Sequence, residues 1–262
     1  MKIRFFLSLL ALSVISSIQG FTQPIFIGAK GGISIPNLSS GNGNPINSGY
    51  TSGLGPDFAL FGEYEVSDYF SLELSIEFSY QGGKKNGKQA LPVPAWLAAT
   101  YPPGQAPDYL YANFNASAAF HYLLIPLLGK FGGYFGEESR WRLYGDVGPF
   151  VGFLLSAKSV TSGSSNVYAD AAETMPLLNA PLSFDTTADI KDQLKPTNFG
   201  VAANVGLQYE TGPHRFFFEV GGNYGFIVVQ KDKANGENHA GAAVIRLGYA
   251  FQIGGRAWRR DY

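Results

Sequence analysis

The 262 residues contain no cysteine. That removes disulfide scaffolds, thiolate metal sites, cysteine nucleophiles and a lipidated N-terminal cysteine together. Charge is also scarce: Asp, Glu, Lys and Arg make up 15% of the chain, against about 25% in ordinary soluble domains. The 19 basic and 20 acidic residues nearly cancel, so the chain carries no basic footprint for nucleic acid. Histidine occurs only at His121, His214 and His239, and no spacing among them suits metal ligation. Gly31-Gly32 and Gly82-Gly83 do not fit a phosphate-binding loop, so no cofactor is expected. No apolar run of about 18 residues, the mark of a spanning helix, follows residue 24.

Glycine and aromatic residues are plentiful. The chain has 33 Gly, 21 Phe and 15 Tyr, and its glycine share is close to twice the usual value of about 7%. With 45% hydrophobic residues it is too apolar to be disordered. Residues 1–22 read as an export signal: Lys2 and Arg4 precede an apolar core from Phe5 to Ile18, followed by small and polar residues. That core is shorter than a bilayer span requires. The expected organisation is therefore a cleaved signal peptide over 1–22 and one β domain over 23–262.

The dominant period is two. In Phe70–Tyr80, Phe70, Leu72, Leu74, Ile76, Phe78 and Tyr80 alternate with Ser71, Glu73, Ser75, Glu77 and Ser79. Successive side chains of a strand leave opposite faces, so this is strand alternation; a helix would scatter the same residues around its circumference. Seven further segments share the pattern, over 25–36, 58–66, 122–131, 141–153, 199–209, 216–226 and 242–253. They exceed the usual strand length of about 5–6 residues and suit tilted strands that cross hydrocarbon, which need about 9–11.

The connections alternate in length. Those over 67–69, 136–140 and 211–214 are turn-like, whereas 37–55, 81–116, 158–196 and 231–240 are long. An up-and-down barrel with both termini on one side produces this order, with short turns on the periplasmic rim and long loops outside. The alternation itself admits two polarities. A soluble barrel turns its apolar set inward, and a membrane barrel turns it outward. Here the apolar set is bulky, whereas the other is rich in Gly, Ser, Ala, Asn and Glu. Eight strands enclose a space that bulky residues would overfill. Apolar-out is therefore expected, and the chain is read as all-β, an eight-stranded antiparallel up-and-down transmembrane β-barrel. Closure requires the first strand to pair with the last. Aromatic residues beside the short turns (Tyr64, Tyr69 and Phe70; Tyr134, Phe135, Trp141 and Tyr144; Tyr209, Phe216 and Phe217) are expected to form an interfacial girdle.

With that polarity Lys30, Glu63, Glu65, Glu73, Glu77, Lys130, Arg142, Asp146, Glu219 and Arg246 point inward, six acids against four bases. Charges in so narrow a space must be paired or hydrated. Arg142 and Arg246 are the expected partners of Glu73, Glu77 or Glu219. Two uses of such a lumen remain open: an ion-pair plug that fixes register, and a narrow cation-preferring path.

The residues also carry a likeness. The first strand opens with Gly28-Ala-Lys-Gly-Gly32, the fourth carries Tyr122-Leu-Leu-Ile-Pro-Leu-Leu-Gly-Lys130, and Tyr144-Gly-Asp-Val-Gly-Pro-Phe-Val-Gly152 follows with a Leu-Leu-Ser-Ala-Lys158 exit. Over about residues 24–254 this resembles the small outer-membrane β-barrel proteins of Bacteroidetes, the PorT-like family. The resemblance implies an eight-stranded outer-membrane barrel, and some members are tied to a secretion and gliding apparatus. It assigns no functional residue, because the matching stretches are barrel-building positions.

The expected function is structural or interactive, with long extracellular loops making surface contacts. The expected partners are outer-membrane lipid and lipopolysaccharide, and an envelope or secretion-apparatus protein. The loop over 81–116 begins with Lys84, Lys85 and Lys88, a basic cluster able to meet lipopolysaccharide phosphates. It continues through Pro92, Pro94, Trp96, Tyr101 and Tyr109 as a rigid contact surface or a lid over the mouth. The alternatives are a small-solute channel, a soluble lipocalin-like carrier and a barrel enzyme. For the last, Ser117 and His121 share a strand face but stand well apart, and no catalytic residue is assigned.

Overall fold

The computed structural model describes residues 23–40, 45–46, 48–136, 138–233 and 236–255. The leader read over 1–22 lies outside the described residues. Eight long strands form the body: β1 (Ile25–Ser40), β2 (Gly55–Ser67), β3 (Phe70–Lys85), β4 (Asn115–Tyr134), β5 (Trp141–Ser162), β6 (Thr197–Thr211), β7 (His214–Val228) and β8 (Asn238–Gly254). Each pairs antiparallel with its sequence neighbours, and β8 pairs with β1, from Ile25 opposite Gly254 to Ser40 opposite Asn238. The ring is closed and up-and-down. No helix among the described residues is long and apolar enough to cross a membrane.

Local chemistry sets the turns. Ser67 Oγ accepts the N–H groups of Tyr69 (3.4 Å) and Phe70 (3.2 Å) between β2 and β3. Ser139 Oγ accepts the Trp141 N–H at 3.1 Å between β4 and β5. Gly212, between β6 and β7, has φ +57°, a conformation that glycine enters without steric cost. These three turns define the turn end of the barrel; the long connections define the loop end.

The apolar set faces outward. Leu60 is 69% and Leu247 68% exposed, and Leu74, Ile76, Leu127, Val205 and Phe218 share their face. This is the reverse of a soluble barrel and the arrangement that hydrocarbon stabilises. At the turn end Tyr69, Phe135, Trp141 and Phe216 are exposed, with Trp141 against Tyr209 at 4.9 Å and Phe216 against Tyr249 at 5.2 Å between ring centroids. Tyr144 and Phe217, read from the sequence as members of this girdle, are instead buried inside. Their parity along the strand decides this: each shares a face with an inward charge, Tyr144 with Arg142 and Asp146, Phe217 with Glu219.

The interior also holds more bulk than expected. Phe26, Phe61, Tyr144 and Phe217 form an aromatic cluster inside it. Four inward rings have glycine directly opposite on the neighbouring strand: Phe61 faces Gly28, Tyr144 faces Gly206, Phe217 faces Gly248 and Phe150 faces Gly200. A Cβ on any of these glycines would lie within 2.7 Å of the facing ring. Each ring occupies the space that the missing side chain vacates, which is how small and large residues share a narrow bore.

The strands run further at the loop end than the alternation shows. β3 continues to Lys85, β4 starts at Asn115 and β5 extends to Ser162. Beyond the lipid both faces meet water or the loops, so side chains there need not alternate although the backbone ladder continues.

Candidate functional site

The lumen is built from the inward positions of all eight strands. Near its middle, Glu63 and Glu73 stand directly opposite on β2 and β3, a pairing that repels unless cations intervene. Lys130 donates to Glu63 Oε2 at 2.8 Å and to Glu73 Oε2 at 3.5 Å, and Lys30 donates to Glu73 Oε1 at 2.9 Å. The serines that alternate with these acids serve them: Ser71 Oγ donates to Glu63 at 2.8 Å and Ser75 Oγ to Glu73 at 2.9 Å. Lys130 also lies 4.2 Å from the centroid of the Tyr144 ring, and the Tyr144 hydroxyl donates to Glu219 Oε2 at 3.1 Å.

Arg246 is the hub of the loop-side half. It stands opposite Glu219 on β7 and opposite Gly32 on β1, with Asp57 opposite Gly32 on β2. Because Gly32 has no side chain, the guanidinium reaches across β1. Its Nε donates to Asp57, Nη1 donates to Glu219 at 3.2 Å and Nη2 lies 2.7 Å from Glu77. Lys30 bridges the two halves, 3.3 Å from Glu219. Among the described residues Asp146 has no cation within 4.0 Å; its Oδ1 accepts from Asn204 at 2.7 Å, and its Oδ2 has no hydrogen-bond partner.

At the turn end Arg215 pairs with Glu63 at 3.3 Å, with Glu65 and with Glu210 at 3.0 Å, while its guanidinium carbon lies 3.4 Å from the Phe26 ring centroid. Arg142 is fully buried but forms no hydrogen bond through its guanidinium. Glu65 at 3.9 Å and Glu63 at 4.0 Å are its nearest carboxylates, in place of the Glu73, Glu77 or Glu219 expected from the sequence. It enters near the turn rim, below the level those acids occupy.

Three members of this network were missed in the sequence. Asp57 precedes the alternating run of β2, Glu210 follows that of β6, and Arg215 precedes that of β7. Strand parity would have found all three, since 57 shares a face with 63 and 65, 210 with 204 and 208, and 215 with 219. Above the charges, Leu38, Phe120, Tyr122, Leu124, Phe150, Leu154, Leu194 and Val229 form an apolar cluster. Leu194 comes from the returning leg of the loop over 158–196, which pairs Thr186–Asp189 with β5 and then turns inward. Between these layers a cavity of about 10 Å³ remains, lined in part by Glu77, Asn204, Asn223 and Arg246, room for about one water.

The loops over 81–116 and 158–196 fold against each other. The first forms a hairpin of Lys88–Leu91 with Leu110–Asn113 and a single helical turn, Ala95–Ala98. Tyr111 and Tyr168 exchange backbone hydrogen bonds at 2.9 and 2.8 Å. Leu110, Ala112, Phe114 and Val167 make an apolar core between the loops, and Phe114 stacks on Phe184 at 4.4 Å. Trp96, 72% exposed, and Met175 project from this head. The three lysines read as one basic cluster diverge. Lys84 is exposed on the outer wall, Lys85 donates inward to Pro45 O at 2.9 Å, and Lys88 donates to Ala171 O at 2.9 Å.

His121 Nδ1 lies 2.8 Å from Ser156 Oγ, so its serine neighbour is Ser156 on β5, one strand away, whereas Ser117 lies on its own strand. Among the described residues no group of three or more His, Cys, Asp or Glu is arranged to hold a metal ion.

These features define a closed eight-stranded barrel with a lipid-compatible exterior and a charged, filled interior. The model of the outer membrane protein beta-barrel domain family matches residues 19–229, and the chain belongs to that family; it is an outer-membrane protein. No curated protein matches the chain. Solved structures similar to it include Neisserial surface protein A (13% identity, 87% of this chain and 96% of that chain, TM-score 0.37). Others are Ail, the attachment invasion locus protein of Yersinia pestis (14%, 86% and 98%, 0.37), and OprG from Pseudomonas aeruginosa (14%, 90% and 99%, 0.37). At such identities the likeness is one of fold alone.

Proposed function

We propose that this protein is a non-conducting outer-membrane scaffold whose loop end faces the cell exterior and presents the two-loop head to a partner. The observation that carries this reading is the filling of the bore. Five buried bases (Lys30, Lys130, Arg142, Arg215 and Arg246) lie within 4.0 Å of six buried acids (Asp57, Glu63, Glu65, Glu73, Glu77 and Glu219), a seventh, Asp146, is hydrogen-bonded to Asn204, and an apolar layer lies above them. An open conduit needs a continuous wet path, whereas the cavity between the charged and apolar layers has room for about one water. The ion network then acts as a plug that holds strand register. The head, with its own apolar core, is built to keep its shape, which lowers the entropy lost on contact.

The short strand motifs support placement among small Bacteroidetes barrels of the PorT-like kind, and with it an envelope or secretion-apparatus protein as the partner. An export signal over 1–22 accords with this location. No catalytic role is assigned. Planar-bilayer recording on the purified barrel tests the plug: the expected result is no stepwise conductance in either polarity. Steady cation-selective steps would favour the channel reading and remove this one. Co-purification from native membranes tests the head. A partner retained by the intact barrel and lost when 88–113 is replaced by a short Gly-Ser link supports it; a partner retained by both does not.

A further inference from the structure

We infer that the outer wall of β3, β4 and β5 at the loop end is a site for the phosphate-bearing headgroup of an outer-leaflet lipid. The inference rests on the orientation proposed above, with the loops outside. Strand register places the residues. Tyr80, His121 and Ser156 form one row across the three strands; Gly82, Ala119 and Lys158 form the next, and Lys84, Ser117 and Val160 the one beyond. Lys84 and Lys158 therefore stand on the outward face on either side of β4, with the small residues Gly82 and Ala119 between them. Both lysines are exposed.

The row nearest the membrane is fixed by a bulge. The β4–β5 register skips Leu155 between His121 and Tyr122, so Leu155 and Ser156 both face outward. Bulges re-aim side chains in this way. The displaced Ser156 hydroxyl meets His121 Nδ1 at 2.8 Å, and the imidazole is held by Phe78 at 5.4 Å and Tyr80 at 5.5 Å between ring centroids. Just inside lie Phe153 and Leu155, both exposed and apolar. The chemistry thus changes over one step along the wall, from hydrocarbon-facing rings to a hydroxyl, an imidazole and two ammonium groups.

Among the described residues no carboxylate lies within 4.0 Å of either ammonium group. Asp189 is paired with Lys158 in the sheet, but its Oδ1 accepts the Lys191 N–H at 2.9 Å. Two cations that form no ion pair within 4.0 Å, beside an apolar band, match a ligand that carries both an anion and acyl chains. A soluble anion would have no use for the apolar band, which is why a lipid is the occupant.

The test uses the full barrel and the variant Lys84→Gln/Lys158→Gln, reconstituted in phosphatidylcholine bilayers with monophosphoryl lipid A or its dephosphorylated form. Lipid retained after extraction is read by native mass spectrometry. Both lysines are exposed, so the heat-induced gel shift of the variant should match the parent. The expected result is selective retention of the phosphorylated lipid, reduced about tenfold in the variant and unaffected by excess inorganic phosphate. Equal retention by parent and variant, equal retention of the two lipids, or displacement by inorganic phosphate would each overturn the site. An epitope inserted at 171–174 and probed on intact cells tests the orientation separately. A hidden epitope removes the orientation and the outer-leaflet assignment together; an accessible epitope with unselective retention removes the headgroup site alone.

Discussion

Glycine and the aromatic ring opposite it are the smallest units of this interior. Gly206 under Tyr144 and Gly248 under Phe217 have no room for a Cβ. Gly248→Val should therefore tilt the Phe217 ring into the neighbouring Lys130 and cost about 1–3 kcal/mol, the usual range for overpacking. Urea titration of the heat-induced gel shift measures this, and the paired change Gly248→Val/Phe217→Ala should recover part of the loss. The arginines separate in the same assay. Arg246→Met strands Asp57 and Glu77, while Glu219 keeps Lys30 and Tyr144, and removing one member of a buried pair costs about 3–5 kcal/mol. Arg142→Met leaves no hydrogen bond unmade, because the guanidinium makes none. Its effect should be small or even stabilising. A ranking in which Arg142→Met destabilises more than Arg246→Met would contradict this account of the network.

At the scale of elements, the eight strands were legible because lipid demands strict alternation. Phe70–Tyr80 shows every second residue apolar, and the strand stands where the alternation stands. The ends of the strands were not legible. β3 runs on through Gln81, Gly82 and Gly83, and β4 begins at Asn115, where water or loop contacts cover both faces and no pattern is imposed. The inward charges within the runs were readable by parity, whereas Asp57, Glu210 and Arg215 lay just outside the runs that supply it. The head left no periodic trace, since its core joins Leu110 and Phe114 to Val167 and Phe184 across two loops, and such contacts have no local signature.

The head also carries a pH-dependent fastening. The Asp185 carboxylate accepts the Gly163 N–H at 3.0 Å and the Ser183 hydroxyl at 2.9 Å, and these bonds hold it below its ordinary value. A depressed carboxylate stabilises the fold above its unfolded pKa, and that contribution fades as pH falls through the folded value. Hydrogen-exchange protection of the Gly163 amide, corrected for intrinsic rate, should therefore weaken below about pH 4. Asp185→Asn should show weak protection already at neutral pH and a flatter acid dependence.

For the whole molecule, three facts act together: the ring closes between β1 and β8, its exterior is apolar, and most of its interior charges are paired. Closure leaves no strand edge in lipid, where unpaired backbone groups cost several kcal/mol each. The pairing lets charges lie at membrane depth. The chain has no cysteine, so single cysteines can be placed along β3 without background. With the protein in bilayers, fluorescent labels at positions 72, 74 and 76 should be quenched by a quencher carried on lipid tails. Cysteines at 71, 75 and 79 should resist both that quencher and a water-soluble thiol reagent. The opposite result, with the odd positions open to water and the even ones shielded from lipid, would contradict an apolar wall around a closed, ion-paired lumen.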